Sequence, residues 1–322
     1  MARAAALRRS FPGMPSLLRN RLAKWVLSPA DTMIERRIEQ HVKHATQALQ
    51  TDLDALHRKV AALQNPQYGL GLLVDGTGRS GHRTPTAAQI DTLARQIQGV
   101  ANGSEHALRN VTVAYRTVIA LESLGVGRLA GSTSNVCGKL ATVPLLSPPN
   151  GNVLEIGTLY GMFAAGLLRM LHRSGLEPHL TIVDPLAGAQ LQPGAAPQGA
   201  DPTGTPVRED VVRANLALGG VGSVIDARIQ QGFSGDPEVR AAVSDREYGV
   251  IVVDGDHSLD GVRADLEWAE QIVAPGGIVV LDDYGDKAWP GVQDALDKHL
   301  ASGTSRLSLL GRVSTSAYLR AN

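Results

Sequence analysis

Residues Asp254–Asp283 read DGDHSLDGVRADLEWAEQIVAPGGIVVLDD, so that two acids and a histidine close one apolar run and a pair of acids closes the next. Gly249–Val253 and Gly277–Leu281 predict buried strands, and Val262, Leu266, Ala269 and Val273 predict the buried stripe of a helix between them. Such a βαβ unit is right-handed, with parallel and usually adjacent strands. Asp254 and the Asp282/Asp283 pair are therefore expected at one sheet end, roughly 5 Å apart in strand spacing. Carboxylates gathered in this way suit a hard divalent cation. His257 has an ordinary pKa of about 6.5 and could take a proton near neutrality. By itself a histidine just past a strand is more often a surface residue; its place among three acids favours a base. Asp256 reads as the cap of the following helix and is not counted as a ligand. Neighbours in a strand point to opposite faces, so Asp282 and Asp283 reach one cation only if the chain bends there.

A second cluster lies earlier, in NVLEIGTLYGMFAAGLL, a strand running into a helix with Glu155, Gly157, Tyr160 and Gly161 around the turn. The glycines allow close backbone approach, and the helix N-terminus offers free N–H groups to a polar ligand. The spacing is GxxxG, with Leu159 where a dinucleotide fingerprint would carry its second glycine, which disfavours NAD. The next strand ends LTIVDP and places Asp184 where a carboxylate accepts both hydroxyls of a ribose; a capping aspartate before Pro185 is the plainer alternative. In the QQGFSGD turn, Gly232, Phe233 and Ser234 are placed to border an adenine.

The elements that must position these residues follow from Asn152 onward. Strands are expected at Val153–Ile156, Leu180–Val183, Ser223–Ile229, Gly249–Val253 and Gly277–Leu281, with helices near 161–173, 208–218, 259–273 and 290–301. Leu307–Leu319 is expected to add a hairpin around Gly311. The alternation predicts a Rossmann-like, doubly wound α/β fold with a mostly parallel seven-stranded sheet, over residues 150–322. Residues 185–207 are too poor in large apolar side chains to pack alone and read as a lid.

Ahead of this domain lies a helical extension. Residues 1–30 form a basic arm in which Arg3, Arg8, Arg9, Arg19, Arg21 and Lys24 stand with no acid, interleaved with apolar residues. Peripheral contact with anionic lipid at the inner face of a membrane is one reading, a frayed arm or a docked helix the other. From 31 to 64, Ile34, Ile38, Val42, Ala45, Leu49, Leu53, Leu56, Val60 and Leu63 recur at steps of three and four with a stutter at Leu49 to Leu53. This long amphipathic helix is expected either to form a coiled coil, and so a homo-oligomer, or to pack along its own domain. Residues 65–149 read as a linker and helical cap, with no P-loop in the glycine-rich part; Thr86 and Gln89 open a helix as a capping box, and another follows from about Ser104 to Leu124.

Composition narrows the function. The 31 basic and 31 acidic side chains cancel and no DPPY- or NPPY-like tetrapeptide occurs, so nucleic acid is not an expected partner. Cys137 is the only cysteine, which excludes an intrachain disulfide and a thiolate metal cage and fits a reducing, cytoplasmic compartment. No run approaches 18 consecutive apolar residues, and no signal-peptide pattern opens the chain.

LEIGTLYG, TIVDP, QQGFSGD and DGDHS…PGG…DDY, in this order, resemble the class I S-adenosylmethionine-dependent methyltransferases, and among them the metal-dependent sugar O-methyltransferases of macrolide tailoring and bacterial glycans. The resemblance spans about 150–300 and departs from many relatives at Leu259, where they carry tyrosine. It implies that Asp254, Asp282 and Asp283 are magnesium ligands and His257 the general base, and that Glu155, Gly157, Gly161 and Asp184 hold the methyl donor. Tyr160, Gly232 and Ser234 are expected to border that donor. The implied activity is transfer of a methyl group to a hydroxyl, in a saccharide above all. A catechol-type small-molecule O-methyltransferase, a hydrolase or oxygenase using the same acids, and a non-catalytic coiled-coil assembly protein are the competing readings.

Overall fold

The computed structural model describes residues 37–57, 85–187, 205–220 and 226–322. The chain divides into two units, Met1–Tyr68 and Gly69–Asn322. In the first, residues 37–57 form helix α1, and Ile38, Val42, Leu49, Leu53 and Leu56 on it are exposed. The basic arm, the glycine-rich segment up to residue 84 and residues 188–204 of the expected lid lie outside the described residues.

The second unit carries a seven-stranded sheet in the order β3-β2-β1-β4-β5-β7-β6. Its strands are β1 Asn152–Ile156, β2 His179–Asp184, β3 Arg228–Gln231, β4 Tyr248–Val253, β5 Val273–Leu281, β6 Leu307–Val313 and β7 Ser316–Ala321. β1 to β5 are mutually parallel, and β7 runs antiparallel to both β5 and β6. This is the expected doubly wound α/β architecture. Its strand order reverses between β1 and β4, which is where open sheets of this kind leave a ligand crevice at the carboxyl ends.

Alternation along the strands explains the two layers. Val153, Ile182, Val250, Val252, Ile278 and Val280 face a core shared with α2 Ala87–Val100, α3 Ala107–Leu124, α4 Thr133–Thr142, α5 Met162–Arg173 and α6 Glu209–Leu216. Leu154, Ile156, Ile251, Val253, Val279 and Leu281 face the opposite core, built with α7 Pro237–Val243, α8 Leu259–Ile272 and α9 Pro290–Ala301. Side chains one residue apart point to opposite faces, and with both faces covered the central strands are mainly apolar, Glu155 in β1 and Thr181 and Asp184 in β2 being buried exceptions.

The Thr86/Gln89 capping box forms as expected. Four expectations are corrected. β3 is Arg228–Gln231 rather than Ser223–Ile229, with residues 221–225 outside the described set. The hairpin turns between Val313 and Ser316; Gly311, at φ 145°, sits inside β6 where the register shifts, so the glycine marks a bulge and not the turn. Ser258, not Asp256, caps α8, its hydroxyl accepting from Gly261 N–H, while Asp256 accepts from Ser258 N–H in the preceding turn. The second helix begins at Ala107 rather than Ser104.

Candidate functional site

Hydrogen bonds running one residue past the strand ends lock the crevice together. Gly232 N–H donates to Asp184 O, Gly157 to Val183 O, Asp254 to Ile156 O and Asp282 to Val253 O, at 2.9–3.0 Å. The candidate residues are thereby held on one rigid edge. A Cβ at Gly157 would lie 2.1 Å from Asp254 O, and its φ is +85°, so only glycine lets β1 and β4 meet there.

Asp283 adopts φ +55°, the bend that neighbouring acids require to face one site. Its carboxylate lies 3.3 Å from His257 Nε2, and that of Asp254 lies 3.8 Å away from the same nitrogen. Ligand atoms of Asp254, His257 and Asp283 fall within 4.8 Å of one another. Neither ring nitrogen of His257 makes a hydrogen bond with the described residues, although the ring packs against Trp289 at 4.6 Å between centroids. Two hard carboxylates beside an imidazole fit a small divalent ion.

At the other end of the crevice, a cavity of about 460 Å³ is lined by Asp184, Gly232, Phe233, Ser234 and Asp265 among others. Asp184 also supports the first turn: its Oδ2 accepts from Thr158 and Leu159 N–H and its Oδ1 from Leu186 N–H. The adjoining cavity is lined by Glu155, Thr158, Tyr160, Lys139, Asp254 and His257 among others. Glu155 is buried, and its Oε2 lacks a hydrogen-bond partner among the described residues. Tyr160 is buried against Gly127 and donates its hydroxyl to Thr205 O at 2.9 Å. Gly161, at φ +75°, starts α5 where a Cβ would press into Val212.

Residues 154–284, which span this whole edge, match the family model described as methyltransferase domain. The chain carries a methyltransferase domain. Solved structures with similarity to it include the O-methyltransferase NovP, at 17% identity over 73% of this chain and 97% of that one, TM-score 0.42. They also include the TDP-rhamnose 3'-O-methyltransferase CalS11 of calicheamicin biosynthesis, at 18% over 74% and 96%, TM-score 0.39. An O-methyltransferase from Bacillus cereus solved with SAH is 15% identical over 72% and 100%, TM-score 0.40. No protein of curated function matches the sequence significantly.

The methyltransferase domain uses one helix whose role the sequence reading missed. α4 places Asn135 and Lys139 on one face, four residues apart, under the acids. Lys139 Nζ lies 3.3 Å from Asp254 Oδ2 and makes a short ion pair with Asp282 Oδ2. Asp282 Oδ1 accepts from Asn135 Nδ2 at 2.6 Å and from Ser316 Oγ at 2.7 Å. Both oxygens of Asp282 are thus committed to the protein, unlike those of Asp283. Ser132, capping α4 by accepting from Asn135 N–H, and the Val136/Leu140 spacing were the available signals; Gly138 within the run obscured them.

Electrostatics in the methyltransferase domain follow from burial and like charge. Burial disfavours ionised Asp282, yet Lys139 and the hydrogen bonds outweigh it and hold its carboxyl below the ordinary range. Asp283 lies farther from Lys139; burial and then Asp282 and Asp254 push it up to about 7, although His257 acts in the opposite direction. Burial lowers the basicity of His257, but the surrounding carboxylates outweigh that and raise its pKa above 6.5. Glu155 is pushed up to about 8, by burial first and also by Asp254 and Asp184.

Proposed function

We propose that this protein is an S-adenosylmethionine-dependent O-methyltransferase whose acceptor is a hydroxyl of a saccharide, in a glycan, a glycolipid or a glycosylated metabolite. The observation that carries the reading is the single edge on which a donor-sized crevice, with the buried carboxyl of Glu155, meets Asp254, His257 and Asp283.

Glu155 offers an unpartnered oxygen to the donor's cationic methionine end, and the Gly157 turn leaves backbone room for it. Asp184, whose oxygens accept three backbone N–H groups, lines the crevice at the end of β2, where a carboxylate meets the hydroxyls of a ribose. Gly232 and Ser234 border the adenine. Asp254 and Asp283 would hold a magnesium ion, whose positive charge would acidify a hydroxyl beside it. His257, whose Nε2 lies 3.3 Å from the Asp283 carboxylate and 3.8 Å from that of Asp254, is placed to take the acceptor's proton. The acceptor oxygen attacks the methyl carbon, the C–O bond forms as the C–S bond breaks, and the electron pair leaves with sulfur to give S-adenosylhomocysteine. Vicinal sugar hydroxyls match two positions on one ion; the resemblance of DGDHS…DDY to sugar-modifying enzymes supports that acceptor class over catechols.

The apolar stripe of α1 faces a second copy of the chain, which the heptad-like spacing supports. The domain works in the cytoplasm, with the basic arm as its contact to a membrane's inner face. Among the described residues no helix is long and apolar enough to cross one.

The test is His257→Ala assayed with a panel of sugar-bearing acceptors and magnesium. Donor binding is expected within about threefold of wild type, with turnover lowered by about 10²–10⁴. Undiminished turnover would remove His257 from the chemistry.

A further inference from the structure

Three acids close β4 and β5, but the protein already supplies a cation to them. Lys139 is 3% exposed, fully within the fold, and its ammonium sits against Asp254 Oδ2 and Asp282 Oδ2 while its other side faces the Phe163 ring at 4.7 Å. Asn135 and Ser316 complete the hydrogen bonding of Asp282. The Asp282 side chain is 8% exposed, whereas those of Asp254 and Asp283 keep 30% and 15% of their surface. A lysine ammonium and a divalent ion compete for the same carboxylate oxygens. Swinging Lys139 aside would leave a buried ammonium unpaired, which is strongly unfavourable.

We infer that Lys139 is a positioning residue that withdraws Asp282 from the ligand set and limits the cation site to Asp254 and Asp283. The inference rests on the methyltransferase reading and refines it. Magnesium is commonly held by one or two carboxylates, with its remaining positions left to water and substrate, so two aspartates leave room for two acceptor hydroxyls. The fixed ammonium also lowers the net negative charge of the cluster, so the ion binds weakly enough to exchange. Asp282, tied to α4 and β7, then serves as an anchor that orients Lys139 and through it Asp254.

The experiment is titration of Mn²⁺ alone into the full-length protein, followed by electron paramagnetic resonance, for wild type and single variants. Asp282→Asn is expected to keep Mn²⁺ affinity within about threefold, because the amide still meets Ser316. Asp254→Asn and Asp283→Asn should each weaken it tenfold or more. Lys139→Met frees a third carboxylate and should tighten Mn²⁺ at least tenfold, while Lys139→Arg, which keeps the charge, should restore the wild-type value. Should Lys139→Met not fold, the contrast between Asp282→Asn and Asp283→Asn decides alone. Equal losses in those two variants, unchanged affinity in a folded Lys139→Met, or no Mn²⁺ binding by any form would each overturn the inference. S-adenosylmethionine titrated into the same samples separates the two levels: donor binding with the wrong Mn²⁺ pattern overturns the role of Lys139 and leaves the function standing.

Discussion

At the residue scale the chain places ionisable groups where burial and neighbours set their charge. Glu155, pushed up to about 8, is neutral at pH 7 before any cation reaches it. A cationic donor favours its ionised form, so binding releases a proton between about pH 6 and pH 8, and donor affinity rises with pH across that window. Calorimetry in two buffers of different ionisation enthalpy should return release approaching one proton at pH 7, and none for Glu155→Gln. Identical enthalpies in both buffers for wild type would contradict the assignment. Asp184 carries a different load. Its oxygens accept three backbone N–H groups, so Asp184→Asn turns an amide against at least one donor and leaves it unpaired. The expected cost is about 1–3 kcal/mol of stability in addition to weaker donor binding, measured by urea denaturation. Stability equal to wild type would mean that Asp184 is only a pocket wall.

At the element scale, Arg240 ties α7, the β3–α7 turn and α8 together through Ser234 O, Ala264 O and Asp265. Asp265 is buried, with Oδ2 unpartnered among the described residues, and burial pushes its carboxyl up to about 6 despite Arg240. Because its folded pKa exceeds the unfolded value, its contribution is most favourable below about pH 4 and is lost as pH rises through 6. Asp265→Asn should therefore gain on wild type by about 2 kcal/mol between pH 4 and pH 7, read from denaturation midpoints across that range. A constant difference would show that Asp265 does not titrate in that window. Much of this layer was legible in the sequence. β4 and the second half of β5 are apolar runs rich in valine and isoleucine, and β4–α8–β5 announces itself through periodicity and the acids at its ends. α4 was hard to read because Gly138 interrupts its pattern and its burial on every side comes from packing against α3, α5 and the β6–β7 hairpin together. The capture of Asp282 by Lys139 was hidden because 143 residues separate the partners. The Gly311 misreading is local: glycine serves bulges and turns alike, and only the ladder of β6 with β7 distinguishes them.

At the scale of the whole molecule, α1 carries an exposed apolar stripe that belongs to no core of the described residues. Light scattering should find an oligomer for the full chain and a smaller species for the Leu49→Lys, Leu53→Lys double variant, with the domain's methyl transfer retained. A monomeric wild type would remove the assembly reading. The methyltransferase domain itself depends on the reversal of strand order between β1 and β4, which opens one crevice to the ends of five parallel strands. The proposed places of donor, cation and base share that edge, where Glu155, Asp184, Asp254, His257 and Asp283 stand at or just beyond the ends of β1, β2, β4 and β5. The most direct test is calorimetric titration of S-adenosylmethionine into the purified protein, with magnesium and then with EDTA, and with NAD as the control. Saturable donor binding at one site per chain in both conditions, with none for NAD, is the predicted result; no donor binding in either condition would contradict the account.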